Sequence, residues 1–191
     1  MWRLDHHTVF CGPTSGGGKF QEMAPDAKLA IVPILKLDQD RPAWDHDWLV
    51  NSAEIVAVIA SAEMTIPFAM SQRMPYRGVI EIWLLQGNRP VQALNAFLFS
   101  HSMVETPTLR IRSQSIEEAV RDLVGPLTGN GDTVISSAAI PGLLPMATQR
   151  GFYCYMGSEA PDECASIIRD WKTATGKVAR KADMELVAAA G

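Results

Sequence analysis

Two clusters of histidine and aspartate contain the side chains best suited to holding a metal ion. They are Asp5-His6-His7 and Asp45-His46-Asp47. Imidazole nitrogens and carboxylate oxygens together form mixed sites for transition metals. Such a site would require the fold to bring together His6, Asp45, His46 and His101. Nothing in their spacing demands it, and the alternative is that an aspartate begins a helix while the histidines are solvated, so we predict no metal.

The three cysteines offer a second kind of chemistry. Cys11, Cys154 and Cys164 form no C-x-x-C pair, which argues against a zinc ribbon and against a disulfide framework. We expect free thiols in a reducing cytoplasm. Cys11 is the best candidate nucleophile, with His6 or His7 as its base, although on one strand His7 would lie more than about 10 Å away.

A glycine-rich run follows Cys11 and could bind an anion. It reads P-T-S-G-G-G-K-F over residues 13–20, so Pro13 and Phe20 stand where a nucleotide-binding P-loop needs Gly and Ser or Thr. Nucleotide hydrolysis is therefore unsupported. The alternatives are a flexible hairpin and a backbone nest for an anion, formed by Gly16, Gly17, Gly18 and Lys19.

The aromatic residues suggest contacts with another macromolecule. Trp44 and Trp48 lie four residues apart and would form an exposed ridge for a protein partner, or else belong to the core at the start of a helix. Tyr153 and Tyr155 share one face of a predicted strand. They could stack a base, or they could be half core and half surface.

The N-terminal half predicts mixed helices and strands. Trp2–Cys11 is predicted as a strand. Over 47–64 the apolar residues keep a helical spacing, which favours a buried helix, although the density of β-branched residues leaves a strand as the alternative. The alternating residues Gly78–Gln86 predict a strand. Asn88 and Pro90 then predict the start of a helix whose apolar face runs to His101.

The C-terminal half has clearer signals for where helices and strands begin and end. Ser115 and Glu118 form a capping box that opens a helix to about Val124. We predict a loop over Pro141–Met146, since two prolines and a glycine fall close together. Pro161–Thr175 is the best helix in the chain, with Gly176 at its end. The strands are predicted at 109–112, 133–138, 151–156 and 177–190.

That order, β-α-β-β-α-β over residues 108–188, is the ferredoxin-like split βαβ arrangement. The stretch Arg150-Gly151-Phe152-Tyr153-Cys154-Tyr155 resembles the aromatic strand of RNA-recognition-motif modules in its first three positions. Its fourth position is Tyr where a small residue is usual, and Cys154 replaces a stacking aromatic. The resemblance implies single-stranded nucleic-acid binding, through Arg112, Arg150, Tyr153 and Tyr155.

Length and charge bound the remaining possibilities. The chain has 191 residues and a formal charge of −4, from 17 basic and 21 acidic residues, which is not the basic footprint of a nonspecific nucleic-acid binder. No apolar run approaches the roughly 20 residues that span a bilayer, and because the first ten residues lack the apolar stretch of a signal peptide, we expect no secretory signal. We expect an α+β fold, with an N-terminal α/β half (residues 1–106) packed on a ferredoxin-like half (residues 107–191), or one continuous domain.

These observations favour a non-catalytic binding or assembly protein of the cytoplasm, a subunit of a larger complex. No motif for catalysis survives the tests above, and no cofactor is indicated. We expect a protein partner or a homo-oligomer, with no membrane contact. The alternatives are nucleic-acid binding through strand 151–156, and an enzyme with a His/Asp metal site or a Cys nucleophile whose catalytic residues are unknown.

Overall fold

A computed structural model gives the architecture, and it describes residues 1–14, 16, 18–34, 46–61, 73–104 and 110–182. Ten strands form one sheet. They are β1 (Trp2–Leu4), β2 (His7–Cys11), β3 (Ala27–Pro33), β4 (Ala53–Ala60), β5 (Tyr76–Gln86), β6 (Arg89–Ser100), β7 (Arg110–Ser113), β8 (Thr133–Ser136), β9 (Tyr153–Ser158) and β10 (Arg180–Lys181).

Five helices are found in the described part of the chain. Two are single turns and three are longer, and they are α1 (Lys19–Glu22), α2 (Leu49–Ser52), α3 (Ile116–Leu127), α4 (Leu143–Arg150) and α5 (Pro161–Thr175). Within those residues, no helix is long and apolar enough to cross a membrane.

The strands lie in the order β10-β1-β2-β9-β8-β3-β4-β6-β5-β7. The central five, β2, β9, β8, β3 and β4, are all parallel to one another. The outer strands are mixed, with β6 antiparallel to both β4 and β5, and β7 parallel to β5. Strands from both halves of the sequence are interleaved, because β8 and β9 lie between β2 and β3.

Each face of the sheet carries its own core. The longer helices α3, α4 and α5 pack on one face around fully buried Trp171, Leu123 and Phe152. The opposite face holds a second apolar cluster that includes Phe20, Trp48 and Tyr155. Layers on both faces of a mostly parallel sheet define an α/β fold, so the expected α+β class is wrong.

The helix predicted over 47–64 is also wrong, and the strand alternative is correct. Among the described residues 47–61, only Leu49–Ser52 are helical, and β4 follows directly as a central strand. Every residue of β4 except Glu54 is buried. A strand that is covered on both faces reads as a continuous apolar run, and such a run cannot be told from a buried helix by periodicity alone.

The helix predicted after Asn88 is a strand as well. β5, which confirms the strand predicted at Gly78–Gln86, pairs with β6 from Gln86↔Arg89 back along the hairpin. The two-residue turn is Gly87-Asn88, with Gly87 at φ +62°. Glycine at the first central position is the signature of a tight hairpin turn, and that signal was available in the sequence.

The ferredoxin-like arrangement is wrong because the C-terminal half alternates strictly. α3 leads to β8, α4 crosses to β9, and β8 pairs with β9 in parallel. The loop predicted at Pro141–Met146 is wrong from Leu143 onwards, because the crossover helix α4 begins there, with Pro145 in its first turn. A proline is tolerated there because the first amides of a helix have no partner within the helix.

The two chain ends differ from the predicted strands. Trp2–Cys11 is a hairpin of β1 and β2, turned at Asp5 with φ +58°. Near the C-terminus only Arg180–Lys181 form a strand among the described residues, and the remainder of 177–190 from residue 183 lies outside them.

The helix signals in the C-terminal half are confirmed. α5 spans the predicted residues, and Gly176 ends it in the left-handed conformation at φ +69°. Ser115 Oγ accepts a hydrogen bond from Glu118 N at 3.2 Å, while the Glu118 carboxylate accepts one from Gln114 N at 2.7 Å. The cap predicted for α3 therefore exists, with the return bond one residue earlier than expected.

Removing this cap gives a first testable change. We expect Ser115→Ala to lower the free energy of unfolding by about 1 kcal/mol, since the Glu118 amide loses its acceptor. Urea unfolding measures it, with Ser115→Asp as the control because aspartate also caps. Equal losses in the two variants would contradict the capping role.

Candidate functional site

The order of the parallel strands creates one distinctive edge. The connection after β3 leads to β4 on one side, whereas the connection after β8 leads to β9 on the other. The chain therefore changes direction between the neighbouring strands β3 and β8. In open α/β sheets, ligands bind outside the carboxyl ends of the strands at such a switch point. This edge is the candidate functional site.

The segment that follows β2 crosses the ends of β9 and β8 at this edge, and we call this segment the Thr14 crossing. Gly12 N donates to Ser158 O at 2.9 Å, and the hydroxyl of buried Thr14 donates to Ser137 O at 3.0 Å. Thr14 thus reaches from β2 past the end of β9 to the loop after β8. Its side chain lies against Gly157, where an added Cβ would clash with it and lie 2.7 Å from the ring of Phe20. Glycine at 157 makes this close crossing possible.

An aromatic cluster packs beside Thr14 and Gly157, on the face of the sheet opposite the three longer helices. The ring of Phe20 stacks on Tyr155 with centroids 4.8 Å apart and meets Trp48 edge-on at 5.8 Å. The Tyr155 hydroxyl donates to Phe20 O at 3.0 Å, and burial raises the pKa of Tyr155. The face of Tyr155 that was predicted to stack a base is therefore covered by the chain's own phenylalanine.

Acidic side chains stand where β9 meets α5. Ser158 Oγ donates to the Glu163 carboxylate at 2.6 Å and accepts from Ala160 N at 3.1 Å, which fixes the turn into the helix. Glu159 follows the last residue of β9 directly and is exposed. In nucleotide-binding α/β folds an acid near this position binds the ribose hydroxyls. Sequence reasoning missed Glu159, although an apolar strand followed by an acid was visible.

His7, proposed as a base for Cys11, has a structural role instead. Cys154 N donates to His7 Nδ1 at 3.2 Å, so that nitrogen carries no proton, and Nε2 donates to Thr148 Oγ1 at 2.9 Å. Trp171 Nε1 also donates to Thr148 Oγ1, at 3.0 Å. Burial lowers the pKa of His7 to about 4. The imidazole is a neutral member of a buried network.

The remaining nucleic-acid candidates do not come together. Arg112 lies on the edge strand β7, and five strands separate it from β9, a distance of roughly 29 Å at about 4.8 Å per strand. Arg150 ends α4 with its guanidinium packed against Gly125. Exposed Tyr153 lies 5.5 Å from the ring of His6.

The anion-loop and partner candidates are only partly described. Gly18 and Lys19 begin the single-turn helix α1, and Gly16 precedes them. Trp48 is buried beside Phe20 and offers no exposed ridge. Gly17, Trp44 and Asp45 lie outside the described residues.

Metal binding finds no support in the part of the chain that can be described, where no three His, Cys, Asp or Glu side chains are grouped to hold an ion. His6 is exposed in the β1–β2 turn with Asp5 at 3.6 Å, and His101 is exposed just after β6. His46 lies between the undescribed residues and α2.

This sheet, with its switch point and with α3, α4 and α5 on one face, has the same fold as solved methyltransferase structures. Three solved structures show the likeness. M1.HpyAVI, also solved as a complex with S-adenosylmethionine, matches with a TM-score of 0.64 at 7% identity over 90% of this chain and 100% of its own. TTHA0409 from Thermus thermophilus, a candidate DNA modification methylase, matches with 0.63 at 11% over 91% and 97%. The cytosine-N4-specific PvuII DNA methyltransferase matches with 0.56 at 10% over 97% and 91%.

No family model matches the chain, and no curated protein matches it significantly. At these identities the structural matches establish the fold. Because the neighbours are DNA methyltransferases, they contradict the expectation of a non-catalytic binding or assembly protein. They leave the resemblance of residues 150–155 to an RNA-recognition strand as a prediction.

Proposed function

We propose that this protein is an S-adenosylmethionine-dependent methyltransferase that acts on DNA. The observation that carries the proposal is the switch point between β3 and β8, at the carboxyl edge of five parallel strands. Solved proteins with this sheet include DNA methyltransferases, one of them in complex with S-adenosylmethionine. The substrate class comes from these neighbours.

The described residues fit the nucleoside part of this cofactor. S-adenosylmethionine carries a ribose but no phosphate, so a glycine-rich phosphate cradle after β8 is not required. The Glu159 carboxylate, exposed at the end of β9, would accept hydrogen bonds from the ribose hydroxyls. When bound, the cofactor supplies an electrophilic methyl group for a nucleophilic nitrogen of a base.

Thr14 forms the inner wall of the candidate site, the crevice at the carboxyl edge of the parallel strands. Its hydroxyl holds Ser137 O, and its methyl group covers Gly157, so the carboxyl ends of β8 and β9 are shielded from water by the chain itself. The cofactor would therefore lie outside Thr14, beside Glu159. This arrangement keeps solvent away from the strand ends while leaving the acid accessible.

Binding of S-adenosylmethionine by isothermal titration calorimetry tests the proposal. We expect Glu159→Gln to weaken binding by on the order of 10-fold, because a hydrogen bond to a charged group contributes about 1.5–3 kcal/mol. Asp170→Asn is the matched control, since Asp170 is an exposed acid on α5 well away from the edge. We expect the control to bind as the unmodified protein does.

Transfer of labelled methyl groups from the cofactor to double-stranded DNA provides the second measurement. Labelled DNA that appears with the unmodified protein and falls with Glu159→Gln supports the function. No cofactor binding at millimolar concentration, together with no transfer, would overturn it. Binding without transfer to DNA would retain the cofactor and reject the substrate.

The expected protein partner or homo-oligomer stays a prediction, and so does the cytoplasmic location. Size-exclusion chromatography with light scattering distinguishes a monomer from an oligomer, with and without DNA.

A further inference from the structure

Cys11 and Cys164 come together at the rim of the candidate crevice. Along β2, Val9 belongs to the core beneath the helices and Phe10 to the opposite core. Since side chains alternate along a strand, Cys11 faces the helix side, where α5 begins. Cys11 is exposed at the end of β2, and its register partner on β9 is Ser158.

Cys164 approaches the same point from the first turn of α5. Its thiol is buried and lies 3.6 Å from both Phe10 O and Ser158 O, the carbonyls that end the neighbouring strands β2 and β9. The peptide carbonyl of Phe10 adjoins Cys11. Cys11 and Cys164 therefore lie at the same junction of β2, β9 and α5, although they are far apart in the sequence.

The third cysteine is excluded from this pair by its position. Cys154 precedes Ser158 by four residues on β9, which is about 13 Å along the strand. It is buried beneath the helices, and burial raises the pKa of its thiol to about 12. Burial likewise raises the pKa of the Cys164 thiol to about 12, so it is the distance along β9 that separates Cys154 from the pair.

We propose that Cys11 and Cys164 form a redox-sensitive pair that closes to a disulfide when a small-molecule disulfide such as oxidised glutathione is present. Exposed Cys11 loses its proton to solvent, and its thiolate attacks one sulfur of the glutathione disulfide and releases one glutathione thiolate, which takes up a proton from solvent. Cys164 loses its proton to solvent and attacks the Cys11 sulfur, which releases the second glutathione. Two protein thiols are oxidised, one glutathione disulfide is reduced to two thiols, and one disulfide bond replaces another.

The disulfide would tie the end of β2 to the start of α5. Thr14 follows Cys11 by three residues and Glu159 lies in the turn from β9 into α5, so closure would tie together the two segments that carry these residues. The cross-link also joins residues far apart in the sequence, which restricts the unfolded chain. We therefore expect the oxidised protein to have a higher Tm than the reduced one.

Thiol counting and peptide mapping after incubation in oxidised glutathione test the proposal. We expect the unmodified protein to lose two of its three free thiols and to yield a peptide that links Cys11 to Cys164. Cys154→Ala is the matched control and should form the same link. Cys11→Ser replaces an exposed residue, so it should fold, keep both remaining thiols and show no rise in Tm.

Three outcomes would overturn the pair. They are a protein whose thiols all stay free in excess oxidised glutathione, a stable glutathione adduct on Cys11 without the cross-link, and a link that involves Cys154. Because none of these measurements uses S-adenosylmethionine or DNA, the result is independent of the proposed enzymatic function.

Discussion

Acidification from pH 7 to pH 4 is expected to remove about 3 kcal/mol of unfolding free energy through His7 alone. Burial lowers the pKa of His7 from 6.5 to about 4 in the folded protein, and each pKa unit corresponds to about 1.4 kcal/mol. Above pH 6.5 the imidazole is neutral in both states and the full contribution is present. Below it the unfolded chain takes up a proton first, so stability is lost as the pH falls towards 4.

The hydrogen bonds explain why the folded protein resists this proton. Nδ1 accepts from Cys154 N at 3.2 Å, and a proton on that nitrogen would turn the contact into two opposed donors. The nearby charges partly cancel, since Asp5 raises the pKa whereas His6 and Lys177 lower it. Desolvation is the largest cause.

Urea unfolding at a series of pH values measures the effect. His7→Phe removes the titrating group, so its unfolding free energy should be lower at pH 7 but should change less between pH 6.5 and 4. His101→Gln is the control, since His101 is exposed just after β6 and is not among the groups that shift the pKa of His7, and its profile should follow that of the unmodified protein. If His7→Phe keeps the same pH dependence as the unmodified protein, another group is responsible.

His7 also shows where sequence reasoning stops. The elements that it located correctly depend on local signals, such as the alternation in β5, the cap of α3, and the Pro161 and Gly176 that bound α5. β4 and β6 were assigned as helices because tertiary pairing decides their conformation. β4 is an apolar run of ambiguous period with no local signal to decide it, whereas the Gly87-Asn88 turn before β6 is a local hairpin signal that the expected helix overlooks.

The candidate site could not be assembled for a related reason. Its contacts join residues far apart in sequence, as Thr14 with Ser137 and Cys164 with Phe10 show. Only the strand order places β9 and β8 between β2 and β3. Once that order is known, Glu159 is found from its place at the end of β9, without any sequence motif.

Truncation of Phe20, the aromatic residue packed against Thr14 and Gly157, should have a large effect on stability. Phe20 is fully buried, stacks on Tyr155 at 4.8 Å and also contacts Trp48 and Phe10. We expect Phe20→Ala to lower the unfolding free energy by about 3–5 kcal/mol, as for other buried aromatic truncations. Tyr153→Ala is the control, because its ring is 41% exposed, and it should cost less than about 1 kcal/mol.

A double-mutant cycle with Gly157 tests whether Phe20 stabilises the protein through its packing against Gly157. Gly157→Ala alone should cost about 1–3 kcal/mol, because the new methyl group would meet Phe20 and Thr14. In the Phe20→Ala background part of that clash is gone, so the same change should cost less. Strict additivity of the two losses would show that Phe20 and Gly157 do not share the packing that the structure assigns to them.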